Sequence, residues 1–242
     1  MARGWRAMIL AAMLGLPWTA SGEPAPVAAT LRTWVAETAR AVFEDLRVRA
    51  GSLAVEPKWG GPSYIRNRDH VVVLGLPSIH DPLFFEVSVT FILGHEAMHE
   101  FLSDQCDLWL DARAREMYCD AVAILHALKN PRTSSRLARA DPDAIHQWVE
   151  TLFSGVPSAQ DRKSMVADLV FAELGPHEAG QSDQDQRILD VLWRYLPGVM
   201  WAPDDSAVKG YLLSQVGLAN ETARRETARH GSLSMGGRIG HM

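Results

Sequence analysis

The chain has 242 residues, of which 47% are hydrophobic and 22% charged, a balance that excludes a disordered or collagen-like protein. The formal net charge of −5 argues against a nucleic-acid-binding protein, because phosphate contacts need clustered positive charge. Two cysteines, Cys106 and Cys119, are too few for a disulfide-dense scaffold or for a zinc module built only from cysteine.

The N-terminal segment has the pattern of a signal peptide. Arg3 and Arg6 precede a short apolar run, and the small residues Ala20 and Gly22 fit a signal-peptidase site. The run is too short to span a bilayer. We therefore predict a signal peptide over 1–22, a periplasmic or secreted mature protein, and no membrane span after signal removal. Removal deletes two arginines and no acid, so the net charge of −5 becomes −7.

The sequence pattern after the signal peptide predicts one helix and then a small sheet. Apolar residues at helical spacing predict a helix over 27–49. Short alternating or β-branched runs predict strands over 52–57, 63–67 and 70–76. Asp81-Pro82 combines an N-cap with proline at the first helical position, and predicts a helix that ends near Ser103.

The rest of the chain predicts helices. A second helix is expected to start near Asp107 or Asp111 and to end at Asn130-Pro131. Capping residues, glycines and prolines delimit the further helices, over 141–155, 161–174, 182–196, 206–216 and 220–229. We predict an α+β fold with one domain over 23–230, and a disordered tail over 231–242.

The helix predicted after the strands carries the motif HExxH, as His95-Glu96-Ala97-Met98-His99. Residues four apart share a helix face, so His95 and His99 can present two imidazole nitrogens to one ion. Glu96 lies about 100° round the helix and can reach a water molecule at that ion. These ionisable residues interrupt an otherwise apolar helix, where they are costly unless they have a partner. The motif therefore predicts a zinc site.

A catalytic zinc ion needs a third protein ligand. The metzincin continuation requires Gly and His at two positions that are Leu102 and Gln105 here, and no cysteine lies upstream of HExxH for a deformylase-like site. A carboxylate on the following helix is the remaining option. Glu116 is the leading candidate, because small residues flank it on its helix face, and Asp111 and Asp107 are the alternatives.

HExxH followed by ExxxD on the next helix resembles the gluzincin class of zinc metallopeptidases, over the segment from His95 to Asp120. The resemblance implies a zincin-like fold with a small N-terminal sheet before the active helix, and one bound Zn²⁺ ion. It also implies a role for each motif residue: zinc ligation by His95, His99 and Glu116, general base and acid catalysis by Glu96, and a hydrogen bond from a ligand histidine to Asp120.

The activity that this resemblance implies is hydrolysis of a peptide or protein substrate by water that zinc and Glu96 activate. The chain is also similar to small exported bacterial metallopeptidase-like proteins, in which a downstream histidine precedes a Gln-Arg pair. Here these would be His177 and Gln186-Arg187. We predict His177 as the donor to the oxyanion, with Tyr195, Arg187 and His146 as alternatives.

The two cysteines lie on either side of Glu116. In an oxidising compartment Cys106 and Cys119 could form a disulfide that joins the connection after the HExxH helix to the ligand helix. Two buried thiols, or Cys119 as a zinc ligand, are the alternatives.

Two other functions fit the same sequence. One is a zinc-binding but catalytically inactive binding protein or chaperone with a zincin fold. The other is a helical interaction protein in which HExxH occurs by chance. Zinc content distinguishes the helical interaction protein from the metallopeptidase and from the inactive zinc-binding protein.

Overall fold

A computed structural model describes residues 25–48, 54–59, 64–66, 71–76, 81–105, 107–154, 156, 159–175 and 181–216. The helices and strands of these residues are, in chain order, α1 (Ala25–Asp45), β1 (Ala54–Trp59), β2 (Tyr64–Arg66), β3 (Val71–Leu76), α2 (Pro82–Gln105), α3 (Ala112–Leu128), α4 (Pro131–Leu137), α5 (Pro142–Leu152), α6 (Gln160–Leu174), α7 (Gln181–Tyr195), α8 (Pro197–Met200) and α9 (Ala207–Val216). The predicted signal peptide, the predicted helix over 220–229 and the predicted tail lie outside the described residues.

The fold is mainly helical, so the predicted α+β, zincin-like class is wrong. The part of the chain whose side chains are described contains helices and no strand. The three strands are short. Strand β3 pairs with β1 in the parallel direction, with Val71 opposite Ala54. It pairs with β2 in the antiparallel direction, with Val73 opposite Tyr64. Local alternation predicts strand backbone, but the fold class depends on which elements supply the core.

The chain divides into two compact units, Met1–Ala97 and Met98–Met242. The described part of the first unit holds α1, the three strands and the first part of α2. Trp34 of α1 stacks on Phe85 of α2 with the ring centroids 6.1 Å apart. Helix α1 also packs beside β1. The predicted bounds of a single domain, 23–230, stay a prediction.

Helix α1 ends at Asp45, before its predicted end at Arg49, because of the backbone at Arg47. This residue has a φ of 53°, in the left-handed region. The Val48 N–H donates to the Phe43 carbonyl, and the Arg47 N–H donates to the Glu44 carbonyl, each at 3.0 Å. These two bonds form a Schellman motif with arginine in the position that glycine usually takes.

Helix α3 lies at the centre of the second unit. Every residue from Met117 to Leu125 is buried, so the helix has no solvent-facing side over this stretch. It packs against α4, α6 and α9, and α6 in turn packs against α5 and α7. The Tyr118 hydroxyl donates to the Val208 carbonyl of α9 at 3.1 Å. Glu116 thus lies one residue before the buried stretch of α3.

Asp107 caps helix α9 from a distant part of the chain. Its carboxylate accepts hydrogen bonds from the backbone N–H of Ala207, from the N–H of Val208 at 3.3 Å and from the Ser206 hydroxyl at 3.3 Å. The two N–H groups belong to the first turn of α9, whose backbone donors have no partner within the helix.

Replacing Asp107 by Ala is therefore expected to lower the free energy of unfolding by about 1–2 kcal/mol, the usual cost of losing a helix cap. The measurement is urea unfolding of the metal-free protein. Asp104→Ala is the control, because Asp104 is exposed on α2. An equal effect of the two substitutions would contradict the capping role.

Candidate metal centre

Helix α2 carries the two histidines of the motif. It begins as predicted, because the Asp81 carboxylate accepts hydrogen bonds from the N–H of Leu83 at 2.7 Å and of Phe84 at 3.3 Å. His95 is 9% exposed and half-buried His99 lies one turn further on, so the two imidazoles lie on one face of the helix.

Glu116 lies in the second turn of α3, whose start is set by Asp111. The Asp111 carboxylate caps the helix by accepting a hydrogen bond from the Ala114 N–H at 2.7 Å. Both alternative ligands predicted from the sequence thus have structural contacts, Asp111 at the start of α3 and Asp107 at the start of α9. Glu116 is the candidate that the fold brings to the histidines.

His95, His99 and Glu116 form a group that could hold a metal ion. One potential ligand atom from each residue lies within 4.8 Å of the others. The Nε2 atom of His99 is 3.4 Å from Oε1 of Glu116. Imidazole nitrogen and carboxylate oxygen are ligands for zinc and several other divalent metals. The geometry therefore supports the predicted ligand set and leaves the identity of the metal open.

The other ring nitrogen of His99 faces a sulfur atom. Nδ1 of His99 is 3.7 Å from Sγ of Cys119, which is buried on α3. With Nε2 toward Glu116, this contact orients the imidazole ring from its opposite side. Cys106, the predicted disulfide partner of Cys119, lies outside the described residues, so the bridge stays a prediction.

Asp120 and Glu116 share a partner that was not identified from the sequence, Arg162 of α6. The Arg162 guanidinium donates from Nε to Oδ2 of Asp120 at 2.5 Å and from Nη2 to Oδ1 at 2.9 Å. Its third nitrogen, Nη1, is 3.0 Å from Oε2 of Glu116. The predicted bond between Asp120 and a ligand histidine stays a prediction.

Arg162 is held firmly among these groups. Its guanidinium lies over the ring of Phe153, 5.3 Å from the ring centroid. Burial lowers the pKa of Arg162, but the hydrogen bond to Asp120 and the charges of Asp120, Glu116 and Cys119 outweigh burial and raise it. The sequence gives only a weak indication of these contacts. Arg162 is a cation in the first turn of α6, where the helix dipole disfavours positive charge, and this suggests an acidic partner outside the helix.

The predicted general base, Glu96, follows His95 on α2. Its side chain is only 6% exposed. A carboxylate of such low exposure in a helix rich in apolar residues is costly unless other groups compensate its charge. The His95 ring packs near the Phe91 ring, with the centroids 6.3 Å apart. Leu93, Ala97 and Met98, beside or within the motif, are fully buried.

The predicted oxyanion donor, His177, lies outside the described residues. The three alternative donors make contacts within the helices of the second unit. The Tyr195 hydroxyl donates to Asp168 at 2.9 Å, and burial followed by Asp168 raises its pKa. Arg187 donates from Nε to the Ala172 carbonyl at 3.3 Å. His146 packs against a phenylalanine ring, with the centroids 5.0 Å apart.

Comparison with protein-family models, curated proteins and solved structures finds no match to this chain. Among the described residues, no helix has both the length and the apolar character needed to cross a membrane.

Proposed function

We propose that this protein is an exported zinc-dependent metallopeptidase that hydrolyses peptide bonds in peptides or proteins. The observation that carries the proposal is the convergence of His95, His99 and Glu116, with Glu96 next to the first of these ligands. Chance placement of HExxH would not explain why a carboxylate from the next helix lies beside the motif. The convergence thus favours a metal enzyme over a helical interaction protein.

The donor set fits zinc. Two histidines and one glutamate leave a fourth position open on a tetrahedral ion, as catalytic zinc requires. Ligand atoms about 2.0–2.1 Å from such an ion lie about 3.3–3.4 Å apart from each other. The distance of 3.4 Å between His99 Nε2 and Glu116 Oε1 agrees with that spacing.

When bound, zinc would polarise the scissile carbonyl and lower the pKa of a water molecule toward neutrality. The chain's own part in the reaction rests on Glu96. Its carboxylate is proposed to take a proton from the attacking water and to give that proton to the departing amine. Its exposure of only 6% favours this role, because exclusion of bulk water strengthens electrostatic interactions and prevents loss of the proton to solvent.

Export is supported by the sequence of residues 1–22, with its two arginines, short apolar run and small residues before a cleavage site. We therefore place the proposed peptidase in the periplasm or outside the cell.

The test begins with metal content and with cleavage of a peptide library. Purified wild-type protein is expected to hold one zinc ion per chain and to cleave members of the library. His99→Ala and Glu116→Ala are expected to lose zinc and activity together, because each removes one of three ligands. His126→Ala is the control, since His126 lies on α3 outside the metal-binding group and should keep its zinc. Wild-type protein without zinc would refute the proposal.

A further inference from the structure

We infer that Arg162 is a positioning residue of the metal site, which holds Glu116 so that one of its carboxylate oxygens faces His99. This inference rests on the proposed metal site and deepens it. No motif in the sequence marks Arg162, which lies in the first turn of α6 and far along the chain from both carboxylates that it contacts.

The two oxygens of Glu116 have different neighbours. Oε1 is 3.4 Å from Nε2 of His99, a residue of the metal-binding group. Oε2 is 3.0 Å from Nη1 of Arg162. A hydrogen bond to one carboxylate oxygen leaves the other available to a metal ion, so Arg162 favours ligation by Oε1 alone.

Arg162 can orient Glu116 because it is itself immobilised. Two nitrogens are bound to Asp120, whose side chain is fully buried, and the central carbon of the guanidinium lies over the ring of Phe153. The side chain of Arg162 is only 17% exposed. Its three directed donors thus join a carboxylate that belongs to the core to a carboxylate that belongs to the metal site. Lysine is a point charge on a flexible stem and cannot bind in this forked way.

A pre-oriented ligand binds metal more tightly. Its side chain has already lost its rotamer freedom on folding, so binding does not carry that entropic cost. Partners of metal ligands commonly contribute about 10–100-fold to metal affinity. Asp120, predicted to orient a ligand histidine, would on this view act on a ligand carboxylate through Arg162.

The experiment compares zinc affinity, measured by competition with a chelator, in wild-type protein, Arg162→Lys and Arg113→Lys. Arg113 is the matched control, because it also joins α3 to α6, through Asp161, but does not contact Glu116 in any described bond. We expect Arg162→Lys to weaken zinc binding about 10–100-fold and Arg113→Lys to leave it within about twofold. Unfolding of the metal-free proteins shows whether each variant keeps its fold.

Cobalt(II) provides a spectroscopic readout that a purely structural role would not change. Its visible absorption reports ligand geometry, so Arg162→Lys is expected to change the spectrum of the cobalt-loaded protein, while Arg113→Lys keeps the wild-type spectrum. Equal zinc affinity and equal cobalt spectra in wild-type protein and a folded Arg162→Lys variant would overturn the inference. Wild-type protein that binds no metal would instead refute the proposed metal site.

If Arg162→Lys does not fold, a crystal structure of the zinc-loaded wild-type protein decides the question. Oε1 of Glu116 on zinc and Oε2 on Arg162 would support the inference. Ligation by both oxygens, or loss of the contact between Oε2 and Arg162, would overturn it.

Discussion

Replacing Glu96 by Gln is expected to lower the rate of peptide cleavage by about 10²–10⁴-fold while zinc stays bound, because general acid–base catalysis contributes about this much. Glutamine has nearly the shape of glutamate but cannot accept the proton of the attacking water. Glu96 is absent from the metal-binding group, so its loss removes no proposed ligand. The measurement is cleavage of a library-derived peptide, together with zinc content.

The control is Glu100→Gln, one turn further along α2 and half-exposed, which should leave both cleavage and zinc unchanged. Undiminished cleavage by the Glu96→Gln variant would exclude Glu96 as the general base. A wild-type protein that binds zinc but cleaves nothing would favour the alternative function, a catalytically inactive binding protein or chaperone.

Replacing Asp120 by Ala is expected to lower the free energy of unfolding by about 3 kcal/mol. Breaking a buried ion pair costs about 3–5 kcal/mol, since the remaining charge stays buried without its partner. The lower end applies here because Glu116 still lies beside the Arg162 guanidinium. A loss of this size is a large fraction of the 5–15 kcal/mol that typically stabilises a folded protein. Urea unfolding of the metal-free protein provides the measurement.

Glu150→Ala is the control for this substitution. Glu150 pairs with Lys163, which follows Arg162 on α6, but 60% of the Glu150 side chain is exposed. Exposed pairs contribute about 0–1 kcal/mol, so the control should unfold close to wild type. An Asp120→Ala variant as stable as the control would show that the pair with Arg162 adds little to the fold.

The helix starts were predictable from the sequence because helix capping is local. Asp81, Asp111 and Asp141 each accept hydrogen bonds from backbone N–H groups no more than three residues further on. The pairing of His95 with His99 is equally local, because one turn of helix aligns them whatever surrounds the helix. Glu116 was the leading candidate among the nearby carboxylates because small residues flank it on its helix face, and the structure brings that residue to the histidines.

The fold class and the end of α1 were not predictable in the same way. Val71, Val72 and Val73 predict strand backbone, but no local pattern shows that helices supply the core of the second unit. The end of α1 depends on Arg47 in a left-handed conformation. Glycine adopts this conformation most readily, so an arginine in the sequence does not predict it.

Arg162 could not be placed from the sequence either, because its partners lie on another helix. It looks like an ordinary surface residue of a helix start until α6 packs against α3. That packing brings its guanidinium to Asp120 and Glu116.

The sequence by itself determined the chemistry that this protein offers, since two histidines one turn apart and the glutamate between them are set by helical periodicity alone. Only the tertiary structure decided which carboxylate approaches His99, and which cation contacts that carboxylate. The physical reason is that these contacts join side chains of different helices. Their distances depend on how α3 and α6 pack, which no spacing along the chain expresses.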